Sequence, residues 1–334
     1  MKAIILKAYG SADNFEMADL PLPPIKKGEV RVKIKAVSFN PVDYQARKGL
    51  PGSRMMTPQI LGRDFSGVVD AVHEDVSDFK EGDEVYGYVC HLASSGTYVE
   101  YLSVPQELVA KKPASLSHEE AAAVPVAAIT AMLALTRAGA ERAGSVFIAG
   151  GAGGVGSFTI LFAQHLGIEK IFTTAGNEKS RSYLVNQLHV KEDQVIDYKQ
   201  PGFIRQAIQQ NGGYFDVAID LVGDNMLDAC CELISIDGNL SSVVDAPGKD
   251  SFEILFQKNA SFHSIGANAY SFSDDRGQWL TYRRLLNYFS KLYDSNQLMK
   301  PPIHVLGTLS TAVVIKAHQL LENSSVQGKL VMSV

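Results

Sequence analysis

The apolar and polar positions of this chain change rhythm about a third of the way along it. Val30 to Val37 alternates, with Arg31, Lys33 and Lys35 interleaved between Val30, Val32 and Ile34, the pattern of a strand with one solvent face. Phe65 to Val72 is apolar, and Asp83 to Val89 follows a Glu81-Gly82 turn. Prolines and glycines recur between these runs, at Pro21-Leu22-Pro23-Pro24, Pro51-Gly52 and Pro58. Strands with turns at this density predict a compact β-rich module. Near Ala121 the texture changes. A helix is predicted over Ala121 to Leu135, with Pro125 tolerated early and Gly139 near its end.

From there strands and helices alternate. Strands are predicted at Ser145 to Ala149, Ile171 to Thr174, Gln194 to Asp197, Asp216 to Leu221 and Asn239 to Val243. Between them lie a helix ending at Gly167 and helices near Glu178 to Leu188, Pro201 to Gln210 and Asn225 to Ile234. Such alternation implies an α/β class, a doubly wound parallel sheet with helices on both faces. The tail carries helical spacing from Trp279 through Tyr293 and breaks at Pro301-Pro302. A strand near Ile303 to Leu306, a helix near Ala312 to Leu321 and a closing strand at Lys329 to Val334 follow. The middle sheet already has its full set of strands, so the tail is expected to rejoin the first module.

The first alternating strand runs into Gly150-Gly151-Ala152-Gly153-Gly154-Val155-Gly156 and then a long apolar helix. Gly151, Gly153 and Gly156 match G-x-G-x-x-G: a tight turn, a close backbone approach to phosphate, and close helix-strand packing. Gly154 and Val155 open the helix, where unpaired N–H groups and the helix dipole favour negative charge. The reading is a dinucleotide pyrophosphate site. An acidic residue about 20 residues further on would hold the ribose 2′-hydroxyl of NAD. Here the second strand ends in Thr173-Thr174-Ala175-Gly176, and Lys179, Ser180 and Arg181 follow, so NADPH is favoured. The alternative is that Lys179 and Arg181 are only the solvated face of the next helix, and Glu178 stands beside them.

Composition narrows the partners. The chain has 334 residues, enough for two domains, and a formal net charge of -5 without a long basic run, which argues against nucleic acid. Cys90, Cys230 and Cys231 cannot build a disulfide framework, and they fit a reducing, cytoplasmic setting. The first residues read as a strand rather than a signal, and nothing approaches the apolar run of about 20 residues needed to span a bilayer.

Together these residues resemble the medium-chain dehydrogenase/reductase superfamily, and within it the zinc-free quinone oxidoreductase (zeta-crystallin-like) group. The landmarks run in order over essentially the whole chain. They are Ser38-Phe39-Asn40-Pro41-Val42-Asp43-Tyr44, Leu61-Gly62-Arg63-Asp64-Phe65-Ser66-Gly67, Gly82-Asp83-Glu84-Val85-Tyr86-Gly87, Gly96-Thr97-Tyr98-Val99-Glu100-Tyr101, Val124-Pro125 with Thr130-Ala131, the glycine turn, Val195-Ile196-Asp197-Tyr198 and Gly328-Lys329-Leu330-Val331. The resemblance implies a GroES-like catalytic domain split over 1–123 and 266–334, with a Rossmann NADPH-binding domain over 124–265. It further implies a homodimer joined through Rossmann edges. Zinc relatives place a Cys where this chain has Asn40 and a His-Glu pair where it has Arg63-Asp64, so no metal is expected; His73, His91 and His118 have no matching partners in sequence.

The implied reaction is hydride transfer from NADPH to a quinone or enone, with a donor needed for the carbonyl oxygen. Asn40 and Tyr44 are the catalytic candidates. An Asx turn before Pro41 is the alternative for Asn40, and packing is the alternative for Tyr44. Asp43 is expected to support the loop in its ionised form. By resemblance Asn40, Thr130, Gly176, Tyr198, Val222 and Lys329 join the glycine turn and Lys179 in holding the cofactor. Mid-helix packing for Thr130 and a core cap for Tyr198 are the plainer roles. Two other functions stay open: an NADPH-binding crystallin-like structural or sensory protein, and an alcohol dehydrogenase or carbonyl reductase. The substrate wall is expected in Tyr44, 49–58, 88–97 and 266–272.

Overall fold

A computed structural model describes residues 1–49, 60–89, 96–323 and 326–334. The chain divides into two compact units, Met1–Ile129 with Asn268–Val334, and Thr130–Ala267. Cys90, His91, Ser324, Ser325 and most of the expected substrate wall lie outside the described residues.

The first unit opens with β1 (Lys2–Leu6) and β2 (Phe15–Asp19), an antiparallel pair. Next come β3 (Glu29–Ser38), α1 (Pro41–Lys48), β4 (Asp64–Val72), β5 (Glu84–Tyr88), β6 (Tyr101–Pro105) and β7 (Val109–Lys111). The alternation in β3 is realised as expected: Val30, Val32 and Ile34 are buried, while Lys33 is exposed and Arg31 reaches Asp70 at 2.6 Å. The helix expected over Ala121 to Leu135 is two helices, α2 (His118–Ala122) and α3 (Pro125–Arg137). Pro125 explains the division, because it has no N–H to continue α2 but is well suited to the first position of a new helix.

α3 crosses into the second unit, which continues through β8 (Ser145–Ala149), α4 (Gly154–His165), β9 (Lys170–Ala175), α5 (Glu178–Asn186), β10 (Val195–Asp197), α6 (Phe203–Asn211), β11 (Phe215–Asp220), α7 (Asn225–Leu233), β12 (Ile234–Ser242), α8 (Lys249–Gln257) and β13 (Ser261–Ser264). The strand expected from Asn239 begins at Ile234. A bulge near Asp237, whose φ is 59°, interrupts its pairing with β11 and hides the first half from a period-two pattern. All pairings in this sheet are parallel, in the order β10-β9-β8-β11-β12-β13. The order reverses between β8 and β11, the point where such sheets bind ligands at their carboxyl ends. Phe147, Phe172 and Phe215 interlock beneath it with ring centroids 5.2–5.3 Å apart, each burial contributing about 1.5–3 kcal/mol.

The chain then returns to the first unit with α9 (Arg276–Asp294), β14 (Ile303–Thr308), α10 (Thr311–Glu322) and β15 (Lys329–Ser333). The tail rejoins the first module as expected: β15 pairs antiparallel with β3, aligning Val331 with Ser38. The larger sheet of this unit runs β14-β15-β3-β4-β5-β7, with β6 also on β3. Among the described residues no helix is long and apolar enough to cross a membrane.

Candidate active site

In the second unit the glycine turn leaves β8 with Gly150 at φ 83°, a left-handed conformation that favours glycine. Two threonines at the end of β9 hold it: Gly150 N–H donates to Thr174 Oγ1 at 3.0 Å and Gly151 N–H to Thr173 Oγ1 at 3.2 Å. Gly151 and Gly156 each have a steric reason within the fold. A Cβ on Gly151 would lie 2.1 Å from Thr173 Oγ1, and one on Gly156 would lie 2.2 Å from Gly150 O and 2.6 Å from Gly151 Cα. At Gly153 the nearest atom is Gly150 O at 3.5 Å, so this glycine leaves open space in front of the first turn of α4. That combination of packed backbone behind and room for a close approach at Gly153 fits a dinucleotide pyrophosphate.

Gly176 follows β9 directly, and a Cβ there would meet Tyr198 Oη at 2.6 Å, so these two candidates adjoin. Lys179 is exposed on the first turn of α5. Its neighbours are engaged elsewhere. Ser180 Oγ donates to Asn177 O at 2.8 Å, and Arg181 donates to the carbonyls of Glu192 and Val195 at 3.3 and 2.7 Å. Val222 is exposed beyond β11, and its Cγ2 lies where it would stand 2.9 Å from a Cβ on Gly150. Buried Asp220 shapes that loop, accepting the Val222 and Gly223 N–H groups at 3.0 Å each and Ser242 Oγ at 2.8 Å. The next residue, Asp224, has φ 47°, uncommon for a residue with a side chain. Thr130 is buried on α3. Cys230 and Cys231 are buried free thiols on α7, with burial raising both pKa values, that of Cys231 to about 11.

In the first unit Asn40 and Lys329 come together, although 289 positions separate them. β3 and β4 align Ser38 with Asp64, and β15 lies on the other side of β3. Lys329 Nζ, buried, donates to Asn40 Oδ1 at 2.6 Å and to Phe39 O at 3.1 Å, and stands 3.4 Å from Asp64 Oδ2. Asn40 Nδ2 donates to the same Asp64 Oδ2 at 2.9 Å. Asp64 also accepts Ser38 Oγ at 2.8 Å and the Val126 N–H at 2.9 Å. The Asn40 side chain thus has long-range partners and is also the N-cap of α1, in a capping box with Asp43. Asp43 supplies the other half of that box, its Oδ2 accepting the Asn40 N–H at 2.8 Å.

Asp43 supports the loop as expected, but its ionisation is not ordinary. Burial lifts its pKa to about 6, against the lowering pull of Arg63 and the Asn40 N–H. Burial likewise lowers that of Lys329, with Asp64 and Asp43 opposing. Behind them His318 is fully buried among Phe15, Phe39 and Tyr98, its Nε2 3.3 Å from Tyr98 Oη, and burial lowers its pKa to about 3. Tyr44 sits half-buried on α1 with Lys48 Nζ 5.4 Å from its ring centroid. His73 and His118 are hydrogen-bonded side chains, to Asp75 at 2.6 Å and to Ser66 at 2.8 Å.

This first-unit cluster does not fit a zinc ion. The Asp64 oxygens are taken up by Ser38, Asn40, Lys329 and Val126, and two cationic side chains, Arg63 and Lys329, are buried there. Among the described residues no group of three or more His, Cys, Asp or Glu converges to hold a metal. Two signals for Asp64 and the threonine pair were available in sequence. Asp64 is a carboxylate opening an apolar strand, and Thr173-Thr174 are adjacent hydroxyls closing another.

Comparison with known proteins bears on both units. Residues 26–114 match the alcohol dehydrogenase GroES-like domain and residues 190–332 the zinc-binding dehydrogenase family. The chain is 31% identical to the 2-methylene-furan-3-one reductase of Solanum lycopersicum, over 99% of this chain and 79% of that protein. It is 33% identical to the chloroplastic NADPH-dependent alkenal/one oxidoreductase of Arabidopsis thaliana, over 78% of this chain and 66% of that protein. The quinone oxidoreductase of Coxiella burnetii superposes with a TM-score of 0.84 at 28% identity, covering 100% of this chain and 99% of that one.

Proposed function

Because the chain belongs to the medium-chain dehydrogenase/reductase superfamily, in its quinone oxidoreductase group, we propose that it is an NADPH-dependent, zinc-independent reductase of quinones or α,β-unsaturated carbonyls. The single observation that carries this reading is the pairing of a complete glycine cradle with an Asn40-Asp64-Lys329 cluster unsuited to metal. NADPH, when bound, supplies a hydride. The protein's own groups do the rest. The turn from Gly151 to Gly156 receives the pyrophosphate, Gly151 and Gly153 by leaving it room and Gly154, Val155 and Gly156 on the backbone N–H groups that open α4, and Lys179 takes the 2′-phosphate with Gly176 and Tyr198. Val222 and Thr130 line the nicotinamide half. Asn40, with Tyr44 as a second donor, hydrogen-bonds the substrate carbonyl as negative charge grows on its oxygen, a preorganised contact suited to stabilising that charge.

A cytoplasmic homodimer belongs to the same reading. β13 is an edge strand of four uncharged residues, Ser261-Phe262-His263-Ser264, and α8 just before it exposes Phe252 and Phe256 at 60% and 78%. An uncharged edge beside exposed aromatics suits strand pairing with a second copy. NADPH oxidation followed by absorbance with 1,2- and 1,4-quinones, short enones and simple aldehydes tests the activity. Turnover of quinones or enones is expected; NADPH binding without turnover of any substrate would favour a binding protein, and turnover of aldehydes alone a carbonyl reductase. A monomer mass by light scattering on the same preparation would remove the dimer.

A further inference from the structure

A carboxamide can be placed two ways round, and in the first unit charge decides between them. Asn40 Oδ1 faces the Lys329 ammonium at 2.6 Å, and Nδ2 faces the Asp64 carboxylate at 2.9 Å. Turning the amide over would set an NH2 group against an ammonium and a carbonyl against a carboxylate. Both contacts would become repulsive inside a site where Lys329 and Asp64 are 4% and 0% exposed and water screens little. Neither charged group can turn away. Lys329 is also tied to Phe39 O, and Asp64 to Ser38 and the Val126 N–H. The amide has two N–H donors and one acceptor oxygen, so this arrangement engages the oxygen and one N–H. What Asn40 has left to offer a ligand is the second Nδ2–H.

We propose that Lys329 is a positioning residue that acts through Asn40, locking its carboxamide as a hydrogen-bond donor so that the site selects substrates carrying an acceptor oxygen. This deepens the reductase reading and rests on it. Asn40 then favours a carbonyl oxygen conjugated to the carbon being reduced over an alkene lacking one, and the contact strengthens as that oxygen gains charge. Lys329 reaches the reaction only by way of this amide.

A double-variant cycle on the full chain tests the proposal, using Lys329→Met, Asn40→Ala and the combination, with kcat and the KM for NADPH measured on a short enone. Removing an oriented donor to a developing oxyanion lowers kcat about 10²-fold. Lys329→Met and Asn40→Ala should each show a loss of that order with the KM for NADPH little changed. Lys329→Met should add nothing in the Asn40→Ala background. A full further loss there, or a rise in the KM for NADPH with kcat intact, overturns the proposal, the second because Lys329 would then serve the cofactor directly. Lys329→Met leaves the Asp64 carboxylate unpaired, so Lys329→Gln with Asp64→Asn provides a neutral pair that keeps hydrogen-bonding groups. It should lose kcat while melting near the parent, and unchanged kcat overturns the proposal. Nitrogen-proton NMR of the Asn40 side-chain amide needs no turnover. Its two N–H signals should shift and broaden in the neutral pair, and unmoved signals refute the locking even if no substrate is ever found.

Discussion

The glycine turn of the second unit and the polar cluster of the first are built in opposite ways. The turn works through what is missing, since side chains at Gly151 and Gly156 would collide with Thr173 and with the backbone of Gly150. Its residues lie within 150–156, apart from the two threonines that hold it. The cluster works through what is present, with an amide, a carboxylate and an ammonium brought from 40, 64 and 329. A backbone site tolerates surface change around it but not an added methyl. A charge cluster tolerates exchange of matched partners but not loss of one, because the partner left behind is a buried charge.

The largest effect should come from Gly156. Valine there places a Cβ 2.2 Å from Gly150 O, a backbone atom that cannot swing aside. Overpacking of this kind costs about 1–3 kcal/mol, and the displaced turn should lower NADPH affinity by about 100-fold or more. Thermal unfolding and fluorescence titration with NADPH check the two losses. Gly153→Ala separates them. Its nearest neighbour is 3.5 Å away and its φ of -75° suits alanine, so the free protein should melt unchanged while NADPH binds more weakly. If Gly153→Ala binds NADPH as well as the parent, phosphate does not approach at this point.

The first unit should reveal itself through pH. The pKa of Asp43 is raised by burial to about 6, so the folded chain holds its proton more tightly than the unfolded chain does. This contribution is fully present below the unfolded value and is lost as pH rises from about 4 to about 6, on the order of 3 kcal/mol in all. The pKa of His318 is lowered to about 3, which has the opposite sign: the unfolded chain takes the proton first, and stability rises with pH from about 3 to about 6.5. Arg63, Asp64, Lys329 and Tyr98 surround Asp43, and Arg47 acts on His318. In the parent the two trends offset. Asp43→Asn should therefore gain stability with rising pH more steeply than the parent over this window, and His318→Gln less steeply. Denaturant melts at pH 4, 5 and 6 measure the differences, and curves parallel to the parent would sink the assignment.

The same contrast explains what could be read in advance. The alternation of Val30, Val32 and Ile34 and the βα rhythm after Ser145 are local, and both units follow from them. The glycine spacing is local too. The Asn40-Asp64-Lys329 cluster was not legible as a cluster, because its pairing depends on β3 meeting both β4 and β15. Asn40 and Lys329 were named, but as separate contacts, and Arg63-Asp64 entered as part of a family landmark and as absent zinc ligands, without a partner. The split between α2 and α3 was missed because alanines run through Ala121-Ala122-Ala123 without a polar mark, leaving Pro125 as its one sign. The early start of β12 was hidden by its bulge.

The smallest predicted effect belongs to the one side-chain charge that the backbone site borrows. Of Lys179, Ser180 and Arg181, the serine hydroxyl is engaged by Asn177 O and the arginine by Glu192 O and Val195 O, while Lys179 is exposed on the first turn of α5. An exposed charge pair contributes at most about 1 kcal/mol, so Lys179→Ala should weaken NADPH binding about 3- to 5-fold. NADH, lacking the 2′-phosphate, should bind as before, and added salt should shrink the gap between parent and variant. Arg181→Ala should do the reverse, lowering the melting temperature through its lost carbonyl contacts while leaving the NADPH to NADH ratio alone. Equal weakening of both cofactors by Lys179→Ala would mean that this lysine supports the turn rather than reads the phosphate. Discrimination would then have to come from the backbone and Tyr198, making the second unit's site still more purely one of main chain.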